Sequence, residues 1–274
     1  MPEGSDVAVE TNRLKKTILG WKFKNLKHFE KGKKPDENQY SRFLDFISSG
    51  NQKITEIECH GKKTWLQIGG VWNILFSYAM SGTFVLDHEV GDGPPNHDPK
   101  NFTMEITLQS DSGVEKSVYF SDIIAYGNIS FMDDTALKNA ISKLGPDPLK
   151  GNIPDGYLAS LKEKKSSKEI SWLLCNQSIL SGIGNVTASE ILYKASIHPT
   201  ELLGNIPDAK LNEIQKIASE EMNRIYVDLW NERTPKYSVY EMKVDPKRRE
   251  VTKFKSPDGT MRYCCEEVQK LLRK

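Results

Sequence analysis

Hydrophobic positions along the chain change period twice. Between residues 5 and 19, Val7, Leu14 and Ile18 fall on one face at helical spacing. Ser5 or Asp6 stands ready to cap and Gly20 stops the run, which predicts a helix over 5–19. A basic, polar stretch follows. From 54 to 90 (ITEIECHGKKTWLQIGGVWNILFSYAMSGTFVLDHEV) apolar and polar residues alternate between glycine-containing turns. Segments 101–109 (NFTMEITLQ) and 114–121 (VEKSVYFS) continue the alternation around SDSG. The first ~130 residues therefore predict one long helix packed on a β-sandwich.

The segment LGPDPLKGNIPDG (144–156) is rich in Pro and Gly and reads as a linker. Around and beyond it the spacing is helical, with helices predicted over 136–143, 156–163, 167–178, 186–196 and 208–229. In the last, Leu211, Ile214, Ala218, Met222 and Ile225 form an apolar stripe of core character. From 237 onward the pattern returns to short strands, with SPDG as a hairpin turn. No internal repeat or low-complexity segment interrupts it. The fold class is α+β, in three parts: a β-sandwich with its N-terminal helix over 1–134, a helical domain over 135–236, and a β-hairpin over 237–274.

Composition narrows the partners. Of 274 residues, 27% are charged and 38% hydrophobic, as in a globular protein with a sizeable core. No apolar run approaches the ~20 residues of a membrane span, and the N-terminus lacks the apolar centre of a secretion signal. An intracellular protein, nuclear or cytoplasmic, is expected, acting as a monomer and away from membranes. Cys59, Cys175, Cys264 and Cys265 form no disulfide framework, which suits a reducing compartment. Net charge is only +1, but it is unevenly spread: 233–274 holds twelve Lys/Arg against six Asp/Glu, and 11–35 holds nine against Glu30 alone. Such clusters fit either a phosphate-binding surface or a solvated basic face.

Two stretches carry candidate chemistry. The chain opens MPEG, so removal of Met1 leaves the secondary amine of Pro2 as the N-terminus, with the carboxylate of Glu3 beside it. In QSILSGIGNVTASEILYKASIHP (177–199), Gly182 and Gly184 form a tight turn and Asn185 opens the next helix. Helix N-termini bind phosphate well, and glycines let a ligand approach the backbone, although many such turns are ordinary helical corners.

The second stretch resembles the helix–two-turn–helix (H2TH) of the formamidopyrimidine-DNA glycosylase/endonuclease VIII family. M-P-E at the start, HGKKTWLQI (60–68), FSYAMSGTF (76–84) and LGPDPL (144–149) resemble family segments in the family's order. The resemblance implies a bifunctional DNA glycosylase and abasic-site lyase of base excision repair, acting on damaged double-stranded or single-stranded DNA. It implies Pro2 as nucleophile, forming a Schiff base, Glu3 as its proton-handling partner and Lys62 as a phosphate contact that assists proton transfer. Asn185, Gly182 and Gly184 would lie against DNA, and Met80 would fill the space left by a flipped base. In DIIAYG (122–127), Tyr126 keeps an aromatic while Ile124 stands where the family's arginine reads the orphaned base. That departure leaves a looser, more apolar plug.

The tail departs further. Relatives carry two C-x-x-C pairs on the hairpin; here VDPKRREV (244–251) has no cysteine and the second pair is reduced to adjacent Cys264 and Cys265. Two thiolates do not make a tetrahedral site, so a zincless finger with no metal and no cofactor is expected. Arg262 is the candidate for the finger's phosphate-directed arginine, though the usual position falls at Thr260; Arg248 and Arg249 are substitutes. MPEG and the tail are similar to the endonuclease VIII branch, which implies oxidised pyrimidines and ring-opened purines as substrates, with β- or β,δ-elimination. The alternative is a catalytically silent H2TH protein that binds damaged DNA.

Overall fold

A computed structural model describes residues 1–48, 50, 52–256 and 259–272. By contacts the chain divides into two units: Met1–Pro2 with Asp6–Lys143, and Glu3–Ser5 with Leu144–Lys274. The first unit holds most of helix α1 (Gly4–Ile18), strand β1 (Lys22–His28), helix α2 (Glu37–Ser48) and strands β2 (Ile54–His60), β3 (Lys63–Ile68), β4 (Trp72–Ser77) and β5 (Gly82–Leu86). Strands β6 (Phe102–Gln109), β7 (Glu115–Asp122) and β8 (Asn128–Asp133) and helix α3 (Asp134–Ile141) complete it.

Two antiparallel four-stranded sheets, ordered β1-β6-β7-β5 and β2-β3-β4-β8, make the predicted sandwich. Alternation explains β3, where Thr64, Leu66 and Ile68 are buried while Lys63, Trp65 and Gln67 are partly exposed. Val7, Leu14 and Ile18 of α1 join the same core, as their spacing implies. Gly20, at φ 82, ends that helical segment, but Ser5 lies inside the helix and donates to Met222 O (2.8 Å) instead of capping it.

The stretch after Gly20 hides two elements. β1 is an edge strand whose bulge between Phe23 and Asn25 breaks the period of two, so only Phe23 and Leu26 are buried. Helix α2 carries Tyr40, Phe43, Leu44 and Ile47 at helical spacing, all packed on the sandwich core, with Phe43 fully buried and edge-on to Phe23; the Lys/Gly/Pro run before it masks a pattern that is present.

The second unit holds α4 (Tyr157–Ser160), α5 (Lys162–Lys165), α6 (Ile170–Cys175), α7 (Asn185–Lys194), α8 (Asp208–Trp230) and the hairpin of β9 (Thr252–Lys255) and β10 (Met261–Cys264). The apolar stripe of α8 is core: Leu211, Ile214, Ala218 and Met222 are all fully buried. Pro257 and Asp258 of the SPDG turn lie outside the described residues. The Pro/Gly segment is no loose linker. Gly145 N–H donates to Gln177 O and Pro146 O accepts from Ser181, and a Cβ on Gly145 would sit 2.1 Å from Ile179 O. Among the described residues no helix is long and apolar enough to cross a membrane.

A polar chain runs through the sandwich core. Thr11 Oγ1 bonds Thr64 Oγ1 (2.7 Å), which bonds the Tyr78 hydroxyl (3.0 Å). Glu10 accepts from Thr83 Oγ1 and from Phe84 N–H. Burial pushes the Glu10 carboxyl up to about 7 from the ordinary 4.5. Its protonated form suits the folded state, so its contribution to stability is full below 4.5 and is lost as pH rises towards 7. Thermal melts across that window are expected to show wild type losing stability, relative to Glu10→Gln, with rising pH.

Candidate active-site residues and nucleic-acid interface

The N-terminus of α7 organises the second unit's candidate residues. Its N-cap is Gly184, which has no side chain to offer the first unpaired amides. Glu3 supplies the cap from the other end of the chain. Its carboxylate, 4% exposed, accepts from Val186 N–H (2.9 Å), Thr187 N–H (3.1 Å) and Thr187 Oγ1 (2.5 Å). A carboxylate at a helix N-terminus is also favoured by the helix dipole.

The glycine turn exists to allow this approach. Gln177 holds it from inside, donating to Cys175 O and Ile183 O and accepting from Gly182 N–H (2.9 Å). Gly182 takes φ 89, and its carbonyl receives Gly4 N–H at 2.8 Å. A Cβ on Gly4 would lie 2.8 Å from Gly182 Cα and 2.7 Å from Met222 Cε, so any larger residue would push Glu3 off the helix. Gly4, Gln177 and Thr187 are the residues that motif reasoning missed. The one signal for them was a helix start, Gly184–Asn185, with no capping side chain of its own.

Arg262 reaches the same corner from the hairpin. Its guanidinium, 2% exposed, donates through Nε to Ser171 Oγ (3.1 Å) and through Nη1 to Asn185 Oδ1 (2.9 Å). Asn185 Nδ2 donates in turn to Met261 O (2.6 Å), so α7 grips β10 at two points. The two substitutes are elsewhere. Arg249 is bound to Asp245 (Nε–O 2.7 Å) and to the Tyr193 hydroxyl (3.2 Å), and Arg248 turns the chain at φ 63.

The finger is fastened by polar contacts. Glu190 of α7, 1% exposed, accepts from the backbone N–H groups of Ser238 (2.7 Å), Val239 (2.9 Å) and Tyr240 (3.0 Å). Asp245 accepts from Arg249, Tyr193 and two backbone amides; burial alone would raise its pKa, but these bonds outweigh it and hold it well below the usual range. Cys264 and Cys265 are buried thiols, and burial pushes Cys264 up to about 12. Among the described residues no group of three or more His, Cys, Asp or Glu is gathered for a metal ion.

In the first unit, Lys62 follows Gly61 (φ 56) in the two-residue turn joining β2 to β3, where His60 pairs with Lys63. Lys62 is half-buried at this tip. Its neighbour Lys63 is also half-buried, and burial together with Lys143 lowers its pKa. Met80, in the loop between β4 and β5, is 50% exposed; Ile124 and Tyr126, between β7 and β8, are 43% and 71% exposed.

Known proteins match in the same order. The model of the formamidopyrimidine-DNA glycosylase N-terminal domain matches residues 1–129, and that of its H2TH domain matches 144–225. The formamidopyrimidine-DNA glycosylase of Ureaplasma parvum serovar 3 is 38% identical over 115 residues, covering 42% of this chain and 39% of the relative. That of Arabidopsis thaliana is 25% identical over 253 residues, covering 88% of this chain and 62% of the relative. The chain thus spans less than two thirds of these curated relatives. Among solved structures, the Lactococcus lactis Fpg in complex with abasic-site DNA superposes with a TM-score of 0.81 at 19% identity, covering 98% of this chain and 99% of that one. A MutM complex with carbocyclic 8-oxo-G DNA gives 0.79 at 20% identity, covering 98% and 100%. These structures share the fold: an N-terminal helix, a β-sandwich and a C-terminal helical domain. With both domain models matched in order over most of its length, the chain belongs to the formamidopyrimidine-DNA glycosylase/endonuclease VIII family.

Proposed function

We propose that the protein is a DNA glycosylase and abasic-site lyase that removes oxidised bases, with oxidised pyrimidines and ring-opened purines favoured. Its partner is damaged DNA, double- or single-stranded, in a reducing intracellular compartment that suits its free cysteines. The observation that carries the reading is the seat of Glu3. The acid that follows the candidate nucleophile in sequence is held on the N-terminus of α7, beside the Asn185–Arg262 pair.

In this reading, removal of Met1 frees the Pro2 amine, and an α-amine with a reference pKa near ~7.7–8.0 is partly unprotonated at neutral pH. The nitrogen attacks C1′ of the damaged nucleotide, the C1′–base bond breaks, and opening of the sugar ring leaves a cationic iminium on Pro2. The base and ring oxygen leave with protons, and Glu3 handles that traffic from a fixed position. The iminium acidifies C2′, and loss of that proton expels the 3′ phosphate; a second elimination expels the 5′ phosphate. Lys62 and Arg262 hold phosphates, while Met80, Ile124 and Tyr126 fill the space of the flipped nucleotide. Because Ile124 donates no side-chain hydrogen bond, the base opposite the lesion is read loosely.

Two measurements test this. Borohydride added to protein and abasic or oxidised DNA is expected to trap a covalent adduct on the Pro2 nitrogen, located by mass spectrometry of the N-terminal peptide. A chain whose amine is blocked by one added N-terminal residue is expected to give none. No adduct with the unblocked wild type rejects the catalytic assignment in favour of a silent DNA-binding protein. For the phosphate contacts, Lys62→Gln and Arg262→Gln are each expected to flatten the salt dependence of DNA affinity by about one unit of log–log slope. An unchanged slope with a lower melting temperature would make Arg262 a strut between α6 and α7 only.

A further inference from the structure

The loops that expose Met80, Ile124 and Tyr126 are tied together by one buried carboxylate. Asp122, 1% exposed, ends β7 in register with Gly82 at the start of β5. One of its oxygens accepts from Ser81 Oγ, and the other accepts from Gly127 N–H at 2.6 Å. The Ser81 hydroxyl in turn accepts from Ile124 N–H at 3.0 Å. Asp122 thus closes its own loop and grips the neighbouring one, and the neighbour's serine holds the first loop back.

Neither loop has slack. Ala79 and Ala125 sit at φ 48 and 62, in the left-handed region that alanine avoids unless its surroundings hold it there. A Cβ on Gly82 would lie 2.7 Å from Tyr78 O and 2.8 Å from Phe120 Cζ; one on Gly127 would lie 2.8 Å from the Asp122 carboxylate. Met80, Ile123, Ile124 and Tyr126 nevertheless stand between 41% and 71% exposed. A polar clip that holds large apolar side chains out in water gains no burial for them and suits a surface kept ready for an apolar partner.

We propose that Asp122 and Ser81 are positioning residues that fix Met80, Ile124 and Tyr126 as one rigid wedge, needed to open paired DNA and idle on an unpaired strand. This rests on the reading above of those three residues as the plug. The physical reason is that a wedge trades its contacts for the stacking of a base-pair step, and a loose wedge recovers less of that cost. In a single strand no partner base is orphaned, so the clip has nothing to act on.

The test uses wild type, Asp122→Ala, Ser81→Ala and the hydroxyl-keeping Ser81→Thr. Each is mixed at saturation with a duplex in which 2-aminopurine neighbours an uncleavable abasic analogue, so that fluorescence reports unstacking without chemistry. Wild type and Ser81→Thr are expected to raise the signal, and the two alanine variants to reduce that rise by at least threefold. Borohydride trapping on cleavable abasic DNA is then expected to slow at least tenfold for the alanine variants on duplex, and less than twofold on the same strand unpaired. Wild-type unstacking by the alanine variants, equal losses on both substrates, or a wild type that binds without unstacking would overturn the proposal. If wild type yields no adduct on either DNA, the catalytic reading fails, and the fluorescence comparison still decides the clip.

Discussion

A helix whose first residues bring no cap must find one elsewhere, and the second unit is arranged around that need. Gly184 leaves the opening amides of α7 unsatisfied, and Glu3 meets them. Stranding even one such buried donor costs about 1–3 kcal/mol. The constraint therefore reaches back through Gly4, which must lack a side chain, and through Gln177, which holds the turn that receives it. One short helix thereby fixes a residue of the N-terminal segment and a residue of the hairpin at the same corner.

The same helix holds the finger by its flank. Asn185, Glu190 and Tyr193 bind Met261, the 238–240 backbone and Asp245 respectively, three anchors along about two and a half turns. Glu190 alone satisfies three backbone donors, so its loss would leave all three to find other partners. Arg249 completes the set by pairing with Asp245, which is why it is spent on holding the hairpin's base while Arg262 extends to Asn185.

Elements with a strong local period were legible in the chain: α1, α8, the alternating strands, and the start of α7 at Asn185. β1 was not, because a bulge erases its period of two; α2 keeps Tyr40, Phe43, Leu44 and Ile47 at helical spacing but follows a Lys/Gly/Pro run that reads as loop. Proline and glycine mark the division of the chain at 143/144, but Gly145 there also serves close packing, with 145–146 pinned to the 176–181 loop. Among the candidate residues, motifs name Glu3, Asn185 and Arg262, whereas the residues that hold them in place carry no such mark. Glu3 meets Thr187, and Ser81 meets Asp122, across separations that no local pattern encodes.

The hairpin's fastening also bears on redox chemistry. Thiols become nucleophilic toward peroxide as thiolates, and a site pushed up to about 12 keeps Cys264 protonated at any physiological pH. The carboxylate–guanidinium–phenol clamp of Asp245, Arg249 and Tyr193 is built on oxygen and nitrogen atoms, and the Cys265 thiol adds only a long 3.8 Å contact to Asp245 Oδ2. The base of the hairpin is therefore held by charge and hydrogen bonding between oxygen and nitrogen atoms, with thiol chemistry at Cys264 kept quiet by its burial.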